Sequence, residues 1–144
     1  MSNETHFRKL EHMYHNAPCN VHYAPQMSIS EGKTELIIPI KPEFFHAAGA
    51  THGAVYFKAM DDSAFFAVSS LVEDVFVLTS TFNVYLIRPI NSGHMRAVGQ
   101  VVSQTRTQFV AESIVYNDDN KEIARGSGVF MKSKLPLSED LGYR

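Results

Sequence analysis

The part of the chain whose residue types could do chemistry is residues 46–62, HAAGATHGAVYFKAMDD, which ends in two adjacent aspartates. Between its His-Gly step and these carboxylates, every residue except one lysine is small, apolar or aromatic, a composition that predicts burial. A buried carboxylate costs several kcal/mol unless something uses it, and burial raises its pKa. We therefore predict that one of the two aspartates acts as a general base, a role that a raised pKa suits.

Helical geometry separates the two aspartates. The residues that share a face with Asp61, at about 100° per residue, are apolar: Phe57, Ala64, Phe65 and Val68. Asp62 has Lys58 four residues before it, so we interpret Asp62 as half of an ion pair on the helix surface. Lys58 is also three residues before Asp61, so spacing alone does not exclude the opposite pairing. Asp61 is the candidate catalytic residue.

Composition and charge exclude several classes of function. The 144 residues are 44% hydrophobic, which fits a single domain over 1–144 with one core. A net charge of −2 with scattered Lys and Arg argues against a nucleic-acid or membrane-surface partner. The N-terminus lacks the apolar centre of a signal peptide, and no apolar run approaches the ~20 residues of a membrane-spanning helix. We therefore expect a cytoplasmic protein.

The histidines near the N-terminus are His6, His12, His15 and His22. His12 and His15 are three residues apart and could share a helix face, but no cysteine or carboxylate constellation completes a ligand set. We interpret these histidines as solvated side chains, and we expect no metal site and no redox cofactor.

Hydrophobic periodicity predicts an α+β domain. The predicted elements are a short amphipathic helix over 4–16, two strands within 27–40 that turn at 31–33, a long helix over 54–72, and strands over 75–87, 94–104, 107–117 and 122–132. The long helix is apolar on nearly all sides, which is typical of a helix surrounded by other elements. Short turns favour antiparallel neighbours among the last four strands. Residues 1–20 are expected to cover an edge of the domain, and residues 135–144 to form a loose tail.

A single sheet that curls around one central helix buries this apolar surface with few elements. Such a sheet leaves edge strands, and pairing two copies of the chain removes one edge from each. We therefore expect at least a homodimer, and the sequence leaves dimer and tetramer open.

Residues 46–62, the later YLIRPINSG and the order of elements resemble the hotdog-fold acyl-CoA thioesterases of the phenylacetyl-CoA thioesterase type, within the 4-hydroxybenzoyl-CoA thioesterase superfamily. That family typically shows Asn-x-x-Gly-x-x-His-Gly-Gly, with an Asp nine residues after the His. Gly49, His52, Gly53 and Asp61 have these mutual spacings. The resemblance covers about residues 26–132 and implies a hotdog fold, an antiparallel sheet wrapped around one long central helix.

The resemblance implies a role for each matching residue. His52 and Gly53 would stand where the chain enters the central helix, and the free N–H of Gly53 would polarise the thioester carbonyl and hold the oxyanion. Asp61 would come from the neighbouring subunit and act as a general base on water or as a nucleophile. Thr79 falls where some members place a Ser or Thr that helps to position the water. The active site would therefore lie at a subunit interface.

Two positions depart from the family pattern: His46 replaces the Asn, and Ala54 replaces the second Gly. The alanine adds only a methyl group. Imidazole can donate a hydrogen bond as Asn does, but it also titrates near neutral pH. His46 therefore either positions water in place of Asn or takes part in proton transfer beside Asp61. A site that has drifted from thioesterase chemistry is the third alternative.

Strand alternation argues against the role of Thr79. The residues that alternate on one face of the predicted strand are Leu78, Ser80, Phe82, Val84 and Leu86. Thr79 points to the other face, away from the central helix if the apolar face packs on it. A bulge near Ser80 and Thr81, or a site between subunits, would bring Thr79 back into the site.

Hydrolases of this kind need cations near the phosphates of CoA. Arg106, in the predicted turn over 104–107, stands where family members often carry a basic residue. Arg88 is a weaker candidate, and so are Arg125, Lys132 and Lys134. Each of these residues is equally consistent with a solvated surface charge.

The leading hypothesis is a thioesterase that hydrolyses an acyl-CoA, or another acyl or aryl thioester, to the free acid and CoA. The alternative is a non-catalytic hotdog module that binds acyl-CoA or an acyl carrier and regulates another process. A dehydratase or hydratase with His46 as the base ranks last, because no Phe-Pro-containing loop follows that residue. The length or aryl character of the acyl group does not follow from the sequence.

Overall fold

The computed structural model describes residues 3–144, so Met1 and Ser2 lie outside it. The helices and strands are α1 (Glu4–His15), β1 (Gln26–Ser30), β2 (Lys33–Pro39), α2 (Gly53–Ser69), β3 (Val75–Leu86), β4 (His94–Gln104), β5 (Gln108–Tyr116) and β6 (Glu122–Pro136). Short 3₁₀ turns lie at Pro18–Asn20, Pro42–Phe44 and Glu139–Leu141. All predicted helices and strands are present, and none of the helices in residues 3–144 is long and apolar enough to cross a membrane.

The six strands form one antiparallel sheet in the order β1-β2-β4-β5-β6-β3. α2 contacts every strand of this sheet, and α1 packs against β1 at one side. Ten of the seventeen residues of α2 are buried, which accounts for a helix that has almost no polar face. This arrangement confirms the predicted α+β hotdog architecture.

One predicted strand pairing is wrong. β3 and β4 are consecutive, but β3 pairs with β6, whereas β4 lies between β2 and β5. The connection over 87–93 is longer than a tight turn, and at about 3.3 Å per residue it can cross strands that lie about 4.8 Å apart. Ile87 N–H donates to the carbonyl of Ile123, which ties this connection to the start of β6. β3 is consequently an edge strand of the sheet.

The central helix approaches the sheet closely where β4 carries a glycine. A methyl group at Gly99 would overlap the backbone of Ser63 in α2. The Thr34 hydroxyl donates to the Ser63 carbonyl at 2.6 Å, and the hydroxyls of Ser63 and Ser113 are 2.7 Å apart. Because these buried polar groups satisfy one another, they hold α2 at one position on the sheet. The residues on either side of Ser63 are thereby positioned as well.

β3 contains a β-bulge at Ser80. Thr79 is opposite Phe130 and Thr81 is opposite Val129, so Ser80 is an extra residue on this strand. From Val77 onward, the inward-facing residues are odd-numbered before the bulge and even-numbered after it: Val77, Thr79, Phe82 and Val84. The predicted alternation is therefore wrong for the first half of the strand.

The C-terminal residues are packed rather than loose. The tail side chains that lie against the core are Leu137, Leu141 and Tyr143. His6 Nε2 donates to the Ser69 carbonyl at 2.9 Å, so its Nδ1 accepts from the Tyr143 hydroxyl at 2.6 Å. His12 donates to the carbonyl of Gly142 at 2.9 Å. The expectations of a loose tail and of solvated His6 and His12 are wrong, because α1 and the tail cover each other.

Candidate active site

Asp61 lies in the middle of α2, and its side chain is half-buried. Its Oδ1 atom accepts a hydrogen bond from the Thr79 hydroxyl at 2.9 Å. Burial raises the pKa of Asp61 above its ordinary value, and the neighbouring charge of Asp62 acts in the same direction. The Thr79 hydrogen bond and the charge of Lys58 oppose this rise. A carboxylate in this setting is held in place by one oxygen and can accept a proton on the other.

Thr79 reaches Asp61 because of the bulge that follows it. The extra residue at Ser80 reverses the pleat, so Thr79 faces the helix although the strand beyond it follows the opposite alternation. Leu78, which the alternation placed inward, is 54% exposed. The sequence offered the bulge only as one condition under which Thr79 would face the site. A single extra residue leaves no periodic signal in so short a strand.

Asp62 and Lys58 form the expected ion pair, with Lys58 Nζ at 2.8 Å from Asp62 Oδ2. The pair is not on an open helix surface, because the Tyr14 hydroxyl donates to the same oxygen at 2.7 Å. The Lys58 ammonium also lies 4.8 Å from the centre of the Tyr23 ring. Burial, followed by the charge of Asp62, raises the pKa of Tyr14 far above its usual range. No spacing in the sequence predicts that Tyr14 of α1 contacts this pair.

The start of α2 presents one unpaired N–H group. His52 is the N-cap residue, and its Nδ1 accepts from the Ala54 N–H at 2.9 Å. Val55 N–H donates to the His52 carbonyl, whereas the Gly53 N–H has no acceptor within residues 3–144. The N–H of Ala54, which stands at the second glycine of the family pattern, therefore already has a partner.

His46 forms the turn that leads to this helix. Its Nδ1 accepts from the Ala48 N–H at 3.1 Å, and its carbonyl accepts from the Gly49 N–H at 3.0 Å. An Asn side chain forms the same kind of turn by accepting from the N–H two residues ahead. Gly49 has a φ of +80°, which a glycine adopts without strain. His46 thus shapes this turn through the same kind of hydrogen bond that an Asn side chain would form.

Two cavities lie along α2. The first has a volume of about 370 Å³ and is bordered by His46, Gly53 and Arg88. The second, about 210 Å³, is bordered by Asp61 and Thr79. Asp61 is eight positions after Gly53 in the helix, which corresponds to about 12 Å along the axis. A thioester carbonyl that accepts from Gly53 is therefore out of reach of Asp61 in the same chain.

The cationic candidates do not form one surface in a single chain. Arg88 is exposed and follows the end of β3, next to the cavity at the start of α2. Arg106 is exposed in the turn between β4 and β5, at the opposite end of the sheet. Arg125 forms an ion pair with Glu122, with Nε at 2.6 Å from Oε2. No group of three or more His, Cys, Asp or Glu side chains within residues 3–144 could hold a metal ion.

Replacing Thr79 by Val is expected to move the acid limb of the pH–activity profile to higher pH. The hydrogen bond from Thr79 favours the ionised form of Asp61, so its loss raises the pKa of that carboxyl further. On the high-pH plateau, kcat should fall on the order of tenfold, because a hydrogen bond to a charged group is lost. Thr79→Ser keeps the hydroxyl and is the matched control. An acid limb that stays at the same pH in Thr79→Val contradicts this role.

Comparison with known proteins places the chain in a family. A sequence model of the Thioesterase superfamily matches residues 48–124. The structure of the PaaI protein from the phenylacetic acid degradation operon of E. coli superposes with a TM-score of 0.86 at 18% identity, over 96% of this chain and 100% of that chain. The BH2602 protein from Bacillus halodurans, solved with CoA, gives a TM-score of 0.65 at 28% identity, over 67% and 65% of the two chains.

A protein of Sulfurisphaera tokodaii whose name contains the word esterase is 29% identical over 103 residues, 71% of this chain and 76% of that protein. The fold and these likenesses together define a thioester hydrolase of the hotdog class. The chain belongs to the Thioesterase superfamily, whose model matches more than half of it. This membership confirms the resemblance that residues 46–62 carried.

Proposed function

We propose that this protein hydrolyses acyl-CoA thioesters to the free acid and CoA, with Asp61 as the general base. The observation that carries the proposal is the half-buried Asp61 carboxylate, which Thr79 holds by one oxygen beside a largely apolar cavity. The other carboxylate oxygen is left to accept a proton from water. The unpaired Gly53 N–H also supports the proposal, because it can donate to the oxyanion that develops on the thioester carbonyl.

The proposed reaction needs no group beyond these residues and water. Water attacks the carbonyl carbon while Asp61 takes one of its protons, and the carbonyl π electrons move to oxygen. The resulting oxyanion accepts the hydrogen bond from the Gly53 N–H. Collapse of the tetrahedral intermediate breaks the C–S bond, and the thiolate of CoA takes up the proton from Asp61. Rapid quenching and mass spectrometry should show no acyl adduct on the peptide that carries Asp61, whereas an adduct would identify Asp61 as a nucleophile.

A second copy of the chain completes the site in this proposal. The separation of about 12 Å along α2 requires Gly53 and Asp61 of one site to come from different chains. β3 is an edge strand whose outer backbone groups have no neighbouring strand. The large apolar side chains exposed on β3 are Leu78, Tyr85 and Leu86. Pairing of β3 with β3 of a second copy would continue the sheet and cover these side chains.

Mixing two inactive variants is expected to restore activity if the site is shared. Asp61→Asn removes the base from one chain, and Gly53→Pro removes the N–H donor from the other. A mixed dimer has one site with both defects and one site with neither, so random co-assembly should recover about a quarter of wild-type activity. The measurement is acyl-CoA hydrolysis after co-expression or joint refolding. Two variants that show no recovery, although mass spectrometry detects the mixed dimer, would mean that each chain holds a complete site.

Arg88 and Arg106 are proposed to bind the phosphates of CoA. They lie at opposite ends of the sheet of one chain, which supports a contribution from each of two subunits. The BH2602 protein, a structural relative, was solved with CoA, and this supports CoA as the ligand. Hydrolysis of a thioester changes no oxidation state, so no redox group is part of the proposal.

An acyl-CoA screen tests the proposed function. Short, medium and long aliphatic acyl-CoAs and aryl acyl-CoAs are incubated with the wild-type protein, and release of the CoA thiol is followed with a chromogenic disulfide reagent. Turnover of at least one class at pH 7–8 is the expected result. Absence of turnover across the whole panel, with the protein folded and dimeric, contradicts the proposal.

A further inference from the structure

The cavity beside Asp61 is apolar over most of its surface. Its polar border holds Asp61, Thr79, Asn20 and the Lys58–Asp62 ion pair, and the rest of the wall includes aromatic rings from α2 and β3. Those rings belong to Phe65, Phe66 and Phe76. Met13 of α1 and Ala17, which follows α1, also border this cavity. This is where an acyl group would lie if its carbonyl carbon stood next to Asp61.

A second, larger hollow adjoins the cavity beside Asp61. Its volume is about 520 Å³, and it is bordered by the end of α1 and by the C-terminal turn. Met13, Ala17 and Phe76 border both this hollow and the cavity beside Asp61. Met13 and Phe76 therefore contribute most of the wall that the two spaces share, since alanine adds only a single methyl group.

The two residues of this wall differ in stiffness. Met13 is 5% exposed and has an unbranched side chain with three rotatable bonds. The Phe76 ring is half-buried and leans on Phe65, with ring centres 5.4 Å apart. Met13 is held by α1, whose position depends on the packed C-terminal tail, and Phe76 is held by β3. The wall therefore joins three parts of the chain that are distant in sequence.

We propose that Met13 and Phe76 form the end wall of the acyl pocket and set the largest acyl group that the enzyme accepts. This inference rests on the proposed function, because it assumes that Asp61 acts on the carbonyl of an acyl-CoA. The wild-type substrate class is a compact acyl group, and long acyl chains are excluded by the wall rather than by lack of space beyond it.

The volumes decide between a compact and an extended acyl group. An apolar cavity of about 150 Å³ is enough to bind benzene. The cavity of about 210 Å³ beside Asp61 therefore takes a group slightly larger than a six-carbon ring. A longer chain has to enter the second hollow, and it can do so only when the wall is removed. Each further buried methylene then increases affinity about fourfold.

Truncating the wall tests this proposal. Phe76→Ala and Met13→Ala are compared with the wild type for decanoyl-CoA and butyryl-CoA, and the quantity measured is the ratio of the two kcat/KM values. We expect this ratio to rise about tenfold or more in each variant. Phe109→Leu is the control, since it trims a buried phenylalanine that borders neither space. A ratio that stays within about twofold of wild type in both folded variants overturns the proposal.

A binding measurement separates this inference from the proposed reaction. In the Asp61→Asn background, calorimetry gives the affinity for butyryl-CoA and decanoyl-CoA without dependence on turnover. Tighter binding of the decanoyl compound after wall truncation supports the wall even if wild-type protein hydrolyses neither compound. Equal affinities before and after truncation contradict the proposed role of Met13 and Phe76, whatever the outcome of the hydrolysis screen. Phe76→Leu serves in place of Phe76→Ala if the alanine variant does not fold.

Discussion

Asp61→Asn should lower kcat for acyl-CoA hydrolysis by about 10²- to 10⁴-fold, the contribution typical of a positioned general base. The amide keeps the size of the carboxylate and can still accept from Thr79, so the loss is one of proton affinity rather than of packing. Thiol release under saturating substrate measures kcat, and calorimetry shows whether substrate still binds. A variant that retains near wild-type kcat would exclude Asp61 from the chemistry.

Asp62→Asn is the matched control, because it makes the same change at the next residue of the same helix. It removes one of the charges that raise the pKa of Asp61, so the acid limb of its activity profile should move to lower pH. Its kcat on the plateau should stay within about tenfold of wild type, since the carboxylate of Asp62 does not receive the proton. Equal losses in both variants would mean that the two carboxylates act as a unit.

The raised pKa of Asp61 also determines the sign of a stability effect. A carboxyl group whose pKa is higher in the folded state than in the unfolded state stabilises the fold when protonated, below about pH 3.9. That contribution is lost as the pH rises through the folded-state pKa. The free energy of unfolding of the wild type, relative to that of Asp61→Asn, should therefore decrease as the pH rises from about 3.9 through the folded-state pKa of Asp61. Denaturant titrations at several pH values measure the difference.

Gly53→Pro should lower kcat by about 10²- to 10³-fold while leaving α2 intact, because it deletes the one N–H proposed to hold the oxyanion. Gly53 is the first residue of the helix, where proline is well tolerated because that N–H has no helical acceptor. His52 has φ −62° and ψ 145°, a conformation that suits the residue before a proline. Circular dichroism and thiol release together distinguish loss of catalysis from loss of the helix.

Gly53→Ala is the control for steric effects. A Cβ atom at this position would lie 3.0 Å from Leu86 Cδ1, a side-chain end that can move, and the alanine retains the N–H. The alanine variant should therefore keep most of its kcat, although its KM can change with the shape of the cavity. If alanine and proline reduce kcat equally, the defect is steric and the oxyanion is held elsewhere.

Much of this fold could be predicted because its signals are local or periodic. The apolar character of α2 on nearly all sides predicted a helix surrounded by a sheet, and its pairing of Lys58 with Asp62 followed from a spacing of four. The family resemblance implied the position of Gly53 at the start of the helix, and the structure places it there. These features depend on residues that lie within one or two helical turns of each other.

The remaining features depend on contacts between distant residues. Tyr14 donates to Asp62 across 48 positions of sequence, so no spacing rule connects them. β3 becomes an edge strand because of a connection of seven residues, in which the sequence shows only one proline, Pro89, and a turn. The sequence also does not predict that His6 is buried, because its partner Tyr143 is at the other end of the chain. Tertiary packing decided each of these cases.

The extra residue at Ser80 bears on how related chains can diverge. Because the core-facing packing of Phe82 and Val84 anchors the second half of the strand, a relative one residue shorter at this point would keep the sheet but turn the counterpart of Thr79 to the solvent. A single-residue gap there in an alignment would then separate descendants that retain a hydroxyl beside the helix carboxylate from those that lost it. The length of one strand, rather than the identity of any residue in it, would then mark the loss of the hydrogen bond to the helix carboxylate.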